Sequence, residues 1–256
     1  MEKIYNITSV NNETIKYFVS LNDKKTRTKE NKFLIEGLHL VQEAKKTNLL
    51  ESIITSDETL IKEFNNVTKY VVNKVIISKL STTKSPQNIL GVVKMLNHDI
   101  TILDKILKKQ EVRLVMLDDI NDPGNLGTII RTSAAIQYDA IILSPNSVDL
   151  YNEKVIRSTQ GVLFKIPIIK APLSEVITKL KNNKITCIGT SLKKAIPLEK
   201  TTHFARYSIC FGNEARGMNE FTLKQMDFNI KLEMKNDVES LNVAVASGII
   251  MYELMK

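Results

Sequence analysis

The sequence predicts an α/β protein of two domains, in which the second and larger domain is built around a parallel β-sheet. The chain has 256 residues, which is enough for two ordinary domains, and 43% of them are apolar, so that a sizeable core can be buried. Short apolar runs alternate with segments of helical periodicity along the chain. In the second half these runs are nearly continuous, which is typical of parallel strands covered by helices on both faces.

The first half of the chain has the pattern of a smaller, compact α/β domain. Its apolar runs predict strands at 33–37, 52–55, 70–72 and 89–93. Between them, helical spacing predicts a helix at 38–46 and a helix-like segment at 59–64. We therefore place a first domain at 1–100, a linker at 101–111 and a second domain at 112–256.

The second domain opens with a stretch, 112–138, that divides into a strand, a tight loop and a helix. Its apolar run ends at Leu117, and residues 118–125 are rich in Asp, Asn, Pro and Gly, which favour turns. Apolar residues then recur at helical spacing from Leu126. In an open α/β sheet such a loop lies at the carboxyl end of a strand, where ligands usually bind. The alternative is an ordinary turn followed by a helix on which Arg131 is merely solvated.

The rest of the second domain continues the alternation of strands and helices. Strands are predicted at 140–143, 164–169, 185–189, 207–211 and 228–232. Helices are predicted at 152–158, 172–181 and 241–255. This order favours a parallel sheet with helices on both faces.

Positive charge is concentrated in the first half of the chain. Residues 1–109 contain 18 basic and 12 acidic residues, whereas residues 110–256 contain 18 and 16. A basic surface attracts polyphosphate and contributes affinity for nucleic acid that does not depend on base sequence. The alternative is a lysine-rich composition that only keeps the protein soluble. The basic run 24–32 is accordingly either a phosphate contact or a solvated loop.

Composition and spacing argue against several classes of protein. No apolar run approaches the length of about 18 residues that spans a bilayer, and the polar amino terminus lacks a signal-peptide core, so we expect a cytoplasmic protein with no membrane contact. Cys187 and Cys210 lie in apolar strand patterns and are expected to be reduced core residues. The histidines are scattered without the spacing of zinc ligands, and no metal site is predicted. The glycine-rich fingerprints of nucleotide-binding loops are missing as well.

Three stretches of the second half recur in the order of a known set of motifs. They read NDPGNLGTIIRTSAA from Asn121, FGNEARGM from Phe211 and ESLNVAVASGIIMYE from Glu239. Together they closely resemble the three signature motifs of the SpoU (TrmH-like) family of AdoMet-dependent RNA ribose 2′-O-methyltransferases, in the SPOUT superfamily. The resemblance implies that the parallel-sheet domain contains a deep trefoil knot, which pattern reasoning alone would not propose.

Two stretches of the first half resemble a domain that precedes the methyltransferase domain in many ribosomal-RNA members of this family. They read FLIEGLHLVQEA from Phe33 and SPQNILGVV from Ser85. That domain binds the substrate and has a fold similar to ribosomal protein L30e. The resemblance therefore implies an RNA substrate, with 23S rRNA favoured. A tRNA methyltransferase of the same family is one alternative, and an RNA-binding or ribosome-assembly protein that kept the fold without catalysis is another.

The resemblance also implies roles for individual residues. Positions that contact S-adenosyl-L-methionine (AdoMet) in the family correspond to Gly212, Leu232 and Leu241. Positions in or beside the catalytic pocket correspond to Asn125, Arg131, Glu214, Ser240 and Asn242. From the residues alone, the leucines could equally be core residues, Glu214 a helix-capping turn residue, Ser240 a helix cap and Asn242 a first-turn residue.

The family resemblance further implies a homodimer formed through the carboxyl-terminal domain, with an active site that draws on both subunits. Small residues in the closing helix fit either that interface or tight internal packing. Three positions depart from the family pattern: Asn88 and Ala215 replace glycines, and Glu233 replaces a proline. We expect AdoMet binding to survive the last two changes.

Overall fold

The computed structural model describes residues 3–192, 194–236 and 239–256. In chain order, the strands are β1 (Ile4–Ile7), β2 (Lys32–Glu36), β3 (Leu50–Thr55), β4 (Thr68–Val72), β5 (Ile89–Lys94), β6 (Val112–Asp118), β7 (Ala140–Leu143), β8 (Ile168–Lys170), β9 (Thr186–Thr190), β10 (Ile196–Pro197), β11 (Arg206–Gly212) and β12 (Phe228–Lys231). The α-helices are α1 (Glu13–Ser20), α2 (Lys24–Glu30), α3 (Leu38–Lys45), α4 (Lys74–Leu80), α5 (Ile102–Ile106), α6 (Pro123–Ala135), α7 (Glu153–Thr159), α8 (Leu173–Asn182), α9 (Glu220–Lys224) and α10 (Val243–Met255). Short 3₁₀ helices lie at Glu58–Glu63, Val162–Phe164 and Leu198–Lys200. Within the described ranges, no helix is long and apolar enough to cross a membrane.

The chain forms two compact units whose boundaries differ from those of the predicted domains. Unit 1 consists of Met1–Asn97 and Leu150–Phe164, and unit 2 consists of His98–Asp149 and Lys165–Lys256. Residues 150–164, here called the excursion, thus interrupt the sequence of unit 2 and belong to unit 1. The prediction assigned them to the second domain because a local sequence pattern does not reveal in which unit a segment packs.

Side-chain contacts hold the excursion in unit 1. The Tyr151 hydroxyl accepts a hydrogen bond of 2.8 Å from the backbone N–H of Leu96, and the Tyr151 ring lies 4.7 Å from the Phe33 ring. A Cβ atom on Gly161 would lie 2.8 Å from the Glu43 side chain, so the chain passes close to α3 there. Removal of residues 1–97 would therefore leave 150–164 without the surface on which it packs.

The sheet of unit 1 is mixed, with the strand order β1-β4-β3-β5-β2. Strands β1, β4 and β3 are parallel, and β5 pairs antiparallel with both β3 and β2. Helices α1 and α4 pack on one face, where Ile15, Phe18, Ile54 and Ile76 belong to one buried cluster. The predicted strands of the first half are confirmed, while β1 and α1 escaped prediction.

The basic run 24–32 is a helix over most of its length, so the alternative of a solvated loop is wrong. Its contact with phosphate stays a prediction. The Asp23 carboxylate caps α2 by accepting a hydrogen bond of 2.9 Å from the backbone N–H of Thr26. The Arg27 side chain is buried and donates to the backbone carbonyls of Leu21 and Asn22. This cation therefore serves the fold of unit 1, whereas the lysines around it remain exposed.

The sheet of unit 2 has seven strands in the order β10-β12-β9-β11-β6-β7-β8, and all pairings between them in the described part of the chain are parallel. This confirms the predicted parallel sheet. Cys187 and Cys210 are free and buried within it, as expected. The carboxyl ends of parallel neighbours meet at one edge, and the candidate site lies along that edge. The threading of a trefoil knot stays a prediction.

The segment predicted as a linker, 101–111, is part of the core of unit 2. It contains α5, and Leu103, Ile106 and Leu107 are buried among the sheet and α8 residues of that core. The polar residues between these positions made the segment look like a connection, although its apolar residues have helical spacing.

Candidate active site

Two loops meet where β6 and β11 end. These strands are paired over their whole length, with Asp118 opposite Gly212, so the residues that follow them leave the sheet side by side. The buried Asp118 carboxylate accepts a hydrogen bond of 2.7 Å from the backbone N–H of Asn219. The loop after β6 and the loop after β11 are thus fastened together at their base.

The loop after β11 is shaped by Asn213. Its backbone exchanges two hydrogen bonds with Gly217, of 3.0 and 2.9 Å. Its side-chain oxygen accepts from the backbone N–H groups of Ala215 and Arg216, and its amide nitrogen donates to the carbonyl of Asp119 at 2.8 Å. Sequence reasoning missed both Asn213 and Asp118, since their roles depend on contacts across about a hundred residues of chain.

Two positions of this loop require glycine, each for a different structural reason. A Cβ atom on Gly212 would lie 2.0 Å from the backbone nitrogen of Met218, because the loop folds back over the end of β11. Gly217 has φ of +73°, a conformation that residues with side chains rarely adopt. The backbone of Ala215 does not have a positive φ, so alanine in place of the family's glycine causes no backbone strain there.

Glu214 joins this loop to the amino terminus of α6. Its carboxylate accepts hydrogen bonds from the backbone N–H groups of Asn121 (3.3 Å) and Asp122 (3.1 Å) and from the side-chain amide of Asn125 (3.0 Å). These donors lie at the positive end of the helix, where an anion is stabilised. Glu214 therefore binds the amino terminus of α6 and does not cap α9, the helix that follows it in the chain.

These hydrogen bonds determine the protonation state of Glu214. Partial burial by itself would raise the pKa of the carboxyl group, but the hydrogen bonds from Asn125 and from the backbone N–H groups together outweigh it and hold the pKa below its usual value. Glu214 is consequently an anion at neutral pH and a weak base, which suits a residue that positions its neighbours.

Asn125 extends the connection to the third motif. Its side-chain oxygen accepts a hydrogen bond of 2.9 Å from the amide of Asn242, while its own amide nitrogen donates to Glu214. Asn242 is the N-cap of α10, since its side-chain oxygen accepts from the backbone N–H groups of Ala244 and Val245. Glu214, Asn125 and Asn242 thus form a continuous polar chain, here called the motif triad, that joins all three motifs.

Arg131 lies outside the motif triad. It is exposed on α6 and has neither a hydrogen bond nor an ion pair to the residues that the structure describes. It follows Asn125 by six positions, which at 100° per residue places it about 120° around the helix from Asn125. The predicted catalytic residues therefore do not all converge within one chain.

The remaining predicted residues lie at the same edge of the sheet. Ser240 is exposed, and Asn242 is the residue that caps α10. The alternatives in which Ser240 caps the helix and Asn242 lies in its first turn are therefore wrong. Leu241, just before that cap, is 38% exposed, and Leu232, directly after β12, is half-buried. Neither leucine is an ordinary core residue.

The arrangement at this edge fits AdoMet. Gly212 ends β11 and Leu232 directly follows β12, and these two strands flank β9. A sulfonium cofactor carries positive charge and needs no phosphate-binding loop, whereas its adenine needs apolar contacts. The exposed leucine and the half-buried one offer apolar surface of that kind.

Comparison with known proteins assigns a family to each half of the chain. A family model described as the SpoU rRNA Methylase family matches residues 113–252, and one described as the MRM3-like substrate binding domain matches residues 12–91. The second match agrees with the substrate-binding domain that the first half of the sequence resembles.

Individual relatives agree with these matches. The 23S rRNA (guanosine(2553)-2′-O)-methyltransferase RlmP of Bacillus subtilis is 35% identical, over 97% of this chain and 98% of that protein. A putative TrmH family tRNA/rRNA methyltransferase of Staphylococcus epidermidis is 28% identical, over 87% and 95%. The crystal structure of an AdoMet-bound rRNA methyltransferase from Sinorhizobium meliloti superposes with a TM-score of 0.89 at 26% identity, covering 98% of this chain and 97% of that one. The chain belongs to the SpoU rRNA methylase family.

Proposed function

We propose that this protein transfers a methyl group from AdoMet to a ribose 2′-hydroxyl of 23S rRNA. The motif triad carries the proposal, because it draws the three signature loops of a methyltransferase family into one hydrogen-bonded arrangement at the ligand-binding edge of a parallel sheet. The Bacillus subtilis relative, whose name gives 23S rRNA as its substrate, is similar over nearly the whole chain, which supports the same substrate class here. The proposal places the enzyme in the cytoplasm, with ribosomal RNA.

Gly212, Leu232 and Leu241 are the proposed AdoMet-binding residues. AdoMet supplies an electrophilic methyl group on a sulfonium ion when it is bound. The loop after Gly212 offers backbone groups, and the two leucines offer apolar surface for the adenine and ribose of the cofactor. Removal of water from this surface on binding contributes affinity without any charged contact.

The motif triad positions the reacting groups and takes no part in proton transfer itself. Glu214 has a lowered pKa and all its hydrogen bonds are directed to α6, so it is unsuited to remove a proton from ribose. Asn125 and Asn242 are neutral and satisfy each other. Their function is to hold the amino termini of α6 and α10 in a geometry that aligns the ribose hydroxyl with the methyl donor.

Arg131 is the proposed electrostatic catalyst. A guanidinium group binds the phosphate next to the target ribose and stabilises the negative charge that develops on the 2′-oxygen. A guanidinium group has hydrogen-bond donors and no acceptor, so its role is that of a cation and not of a base. The exposed hydroxyl of Ser240 is proposed to line the same pocket.

The proposal includes a homodimer with an active site shared between subunits. Val245, Ile249 and Tyr252 recur at spacings of four and three residues on α10, so they form one exposed apolar stripe on that helix. Helix α10 packs on α6, where Gly248 faces the Thr132 side chain, the neighbour of Arg131. Burial of the stripe against a second copy would bring Arg131 of one subunit near the motif triad of the other.

Sedimentation velocity tests the dimer through the variant Ile249→Asp. A charge in the middle of the stripe should convert the dimer to a monomer, since an unpaired buried carboxylate is strongly disfavoured in an apolar interface. The matched control is Val75→Asp, at a valine that is 65% exposed on α4 in unit 1. A dimer that persists in Ile249→Asp would contradict the proposed interface.

Mapping of ribose methylation on total RNA, with and without the gene, tests the function. Loss of a single 2′-O-methyl group in 23S rRNA is the expected result. Loss of a tRNA modification instead would establish the tRNA alternative. An unchanged methylation map, together with the absence of calorimetric AdoMet binding at millimolar concentration, would favour a non-catalytic RNA-binding protein.

A further inference from the structure

Unit 1 contains an open cleft of about 470 Å³ beside its sheet. The floor is formed by Ser52, Thr68 and Val92, which lie in register on the neighbouring strands β3, β4 and β5. One wall is formed by α1, through Tyr17 and Phe18. The cleft therefore lies on the face of the sheet that α1 and α4 cover only in part.

Aromatic rings continue from this wall across the edge of the sheet. The Tyr70 ring, which also lines the cleft, meets the Phe18 ring edge-on at 5.1 Å and stacks on the Tyr5 ring at 5.3 Å with an interplanar angle of 17°. The Tyr17 ring lies 5.6 Å from that of Phe18. Tyr5 is 44% exposed, and Tyr17 and Tyr70 are half-buried, so ring surface remains open to a ligand.

The opposite rim carries two lysines. The ammonium group of Lys32 lies 2.6 Å from the Glu51 carboxylate, and that of Lys94 lies 3.8 Å from the same carboxylate. Glu30 also lies close enough to Lys32 to act on it electrostatically. Lys94 has the longer contact and a side chain that is 53% exposed, so its charge is the more available one for a phosphate. The side-chain amide of Asn48 is also among the lining groups and can form hydrogen bonds with base edges.

We propose that this cleft binds an unpaired nucleotide of the RNA substrate, with its base against the tyrosine rings and its phosphate at Lys32 and Lys94. The inference rests on the proposed function, which makes RNA the substrate. Aromatic rings beside a positively charged groove are the combination by which proteins bind single-stranded nucleic acid. The cleft is large enough for one nucleotide, and the match to a substrate-binding domain, residues 12–91, includes every lining residue except Val92 and Lys94.

The variants Lys94→Glu and Lys74→Glu test the phosphate contact in the full-length protein. Both change the charge of unit 1 equally, but Lys74 is exposed on α4, outside the cleft. Fluorescence anisotropy with a short single-stranded RNA should show affinity lowered at least about fivefold by Lys94→Glu and less than about twofold by Lys74→Glu. Equal losses in the two variants, or equal losses on single-stranded and duplex RNA, would overturn the proposal.

The variants Tyr17→Phe and Tyr17→Leu test base stacking separately from charge. Phenylalanine keeps the ring, whereas leucine keeps apolar packing against Phe18 without a ring. Single-stranded RNA binding should stay within about twofold for Tyr17→Phe and fall at least about fivefold for Tyr17→Leu, with thermal unfolding as the check on folding. Unchanged binding by Tyr17→Leu, as expected if the cleft takes a protein segment, would overturn the proposal.

Methyl transfer by the wild-type protein separates this inference from the proposed function. One outcome is that the wild-type protein methylates RNA while Lys94→Glu and Tyr17→Leu bind RNA normally. This would contradict RNA binding by the cleft and leave the proposed function intact. A wild-type protein that binds neither AdoMet nor RNA would contradict the function itself.

Discussion

The two parts of the candidate active site differ in how they are held. Glu214, Asn125 and Asn242 are joined by hydrogen bonds within one chain, whereas Arg131 and Ser240 are exposed and have no such bond among the described residues. The first part is organised before any ligand binds. We propose that the second part acts on groups that this chain alone does not supply.

The difference separates positioning from chemistry. A polar chain whose donors and acceptors satisfy each other is rigid and costs little reorganisation when substrate arrives, which is the basis of catalytic preorganisation. A cation without a partner keeps its full charge for the RNA. We therefore expect substitutions in the first part to alter structure and binding along with rate, and substitutions in the second part to alter turnover and RNA binding without altering the fold.

Arg131→Ala should have the largest effect on catalysis. Loss of the cation should lower kcat by about 10²- to 10³-fold, because the developing alkoxide is no longer stabilised. The melting temperature should not change, since the exposed side chain has no hydrogen bond or ion pair to the described residues. Transfer assays with labelled AdoMet, paired with thermal unfolding, measure both quantities. Wild-type turnover in this variant would remove Arg131 from the mechanism.

Gly212→Ala should come next and act on the cofactor. The added methyl group would overlap the backbone nitrogen of Met218, so the loop must move away from the end of β11. Overpacking of this kind costs about 1–3 kcal/mol, and we expect AdoMet affinity to fall by about five- to a hundredfold in calorimetry. A suitable control is Gly248→Ala, where a Cβ atom would lie 3.7 Å from the Thr132 side chain, an ordinary contact. Equal behaviour of the two variants would contradict the tight fold of this loop.

Glu214→Gln should reduce turnover by about tenfold, because an amide cannot accept from all three donors and the amino terminus of α6 shifts. It should also change how stability depends on pH. The pKa of Glu214 in the folded protein lies below 4.5, the usual value of a glutamate. Its ionised form therefore stabilises the fold above about pH 4.5, and this contribution is lost as the pH falls through the folded-state pKa.

Thermal unfolding between pH 7 and pH 3 measures this contribution. The difference in melting temperature between wild type and Glu214→Gln should be constant at neutral pH and should shrink below about pH 4.5. Glu220→Gln is the control, because Glu220 is an exposed glutamate outside the motif triad whose pKa is also lowered, by its hydrogen bond with Lys224. An exposed ion pair contributes little to stability, so the control should show little dependence of stability on pH and should leave turnover unchanged. A difference between wild type and Glu214→Gln that does not change with pH would mean that Glu214 is not held as an anion.

Leu241→Ala should have the smallest effect, a two- to fivefold loss of AdoMet affinity. The leucine is already 38% exposed, so truncation removes only part of its apolar contact with the cofactor, on the order of 1 kcal/mol. Val75→Ala, at an exposed valine of unit 1, should leave the affinity unchanged. No change in Leu241→Ala would exclude this side chain from the cofactor site.

The strands of both units were predictable from sequence because each is a short apolar run. The exceptions have physical causes. Strand β1 reads Ile-Tyr-Asn-Ile and is too short and too exposed for its apolar residues to form a distinctive pattern. Strand β10 has only two residues. The predicted strand at 164–169 is shorter because a 3₁₀ helix occupies its start. The excursion of residues 150–164 into unit 1 depends on tertiary contacts that no local pattern contains.

The residues of the candidate site were predictable only from the family resemblance. An isolated Asn-Glu-Ala-Arg sequence does not reveal that its glutamate accepts hydrogen bonds from a helix some 90 positions earlier. Asp118 and Asn213 were missed for the same reason, although Asn213 lies within the second motif and Asp118 lies three residues before the first. Ser240 and Asn242 both belong to residue types that cap helices well, so the sequence does not show which of them caps α10. In the structure the cap is Asn242, which also donates a hydrogen bond to Asn125.

Methyl transfer to unmodified 23S rRNA tests the central claim most directly. The purified protein is incubated with AdoMet that carries a deuterated methyl group, and the RNA is digested to nucleosides for mass spectrometry. We expect the deuterated methyl group on the ribose fragment of one nucleoside, and we expect Arg131→Ala to yield none above background. Label on a base, or no label with the wild-type protein in the presence of bound AdoMet, would contradict ribose 2′-O-methylation.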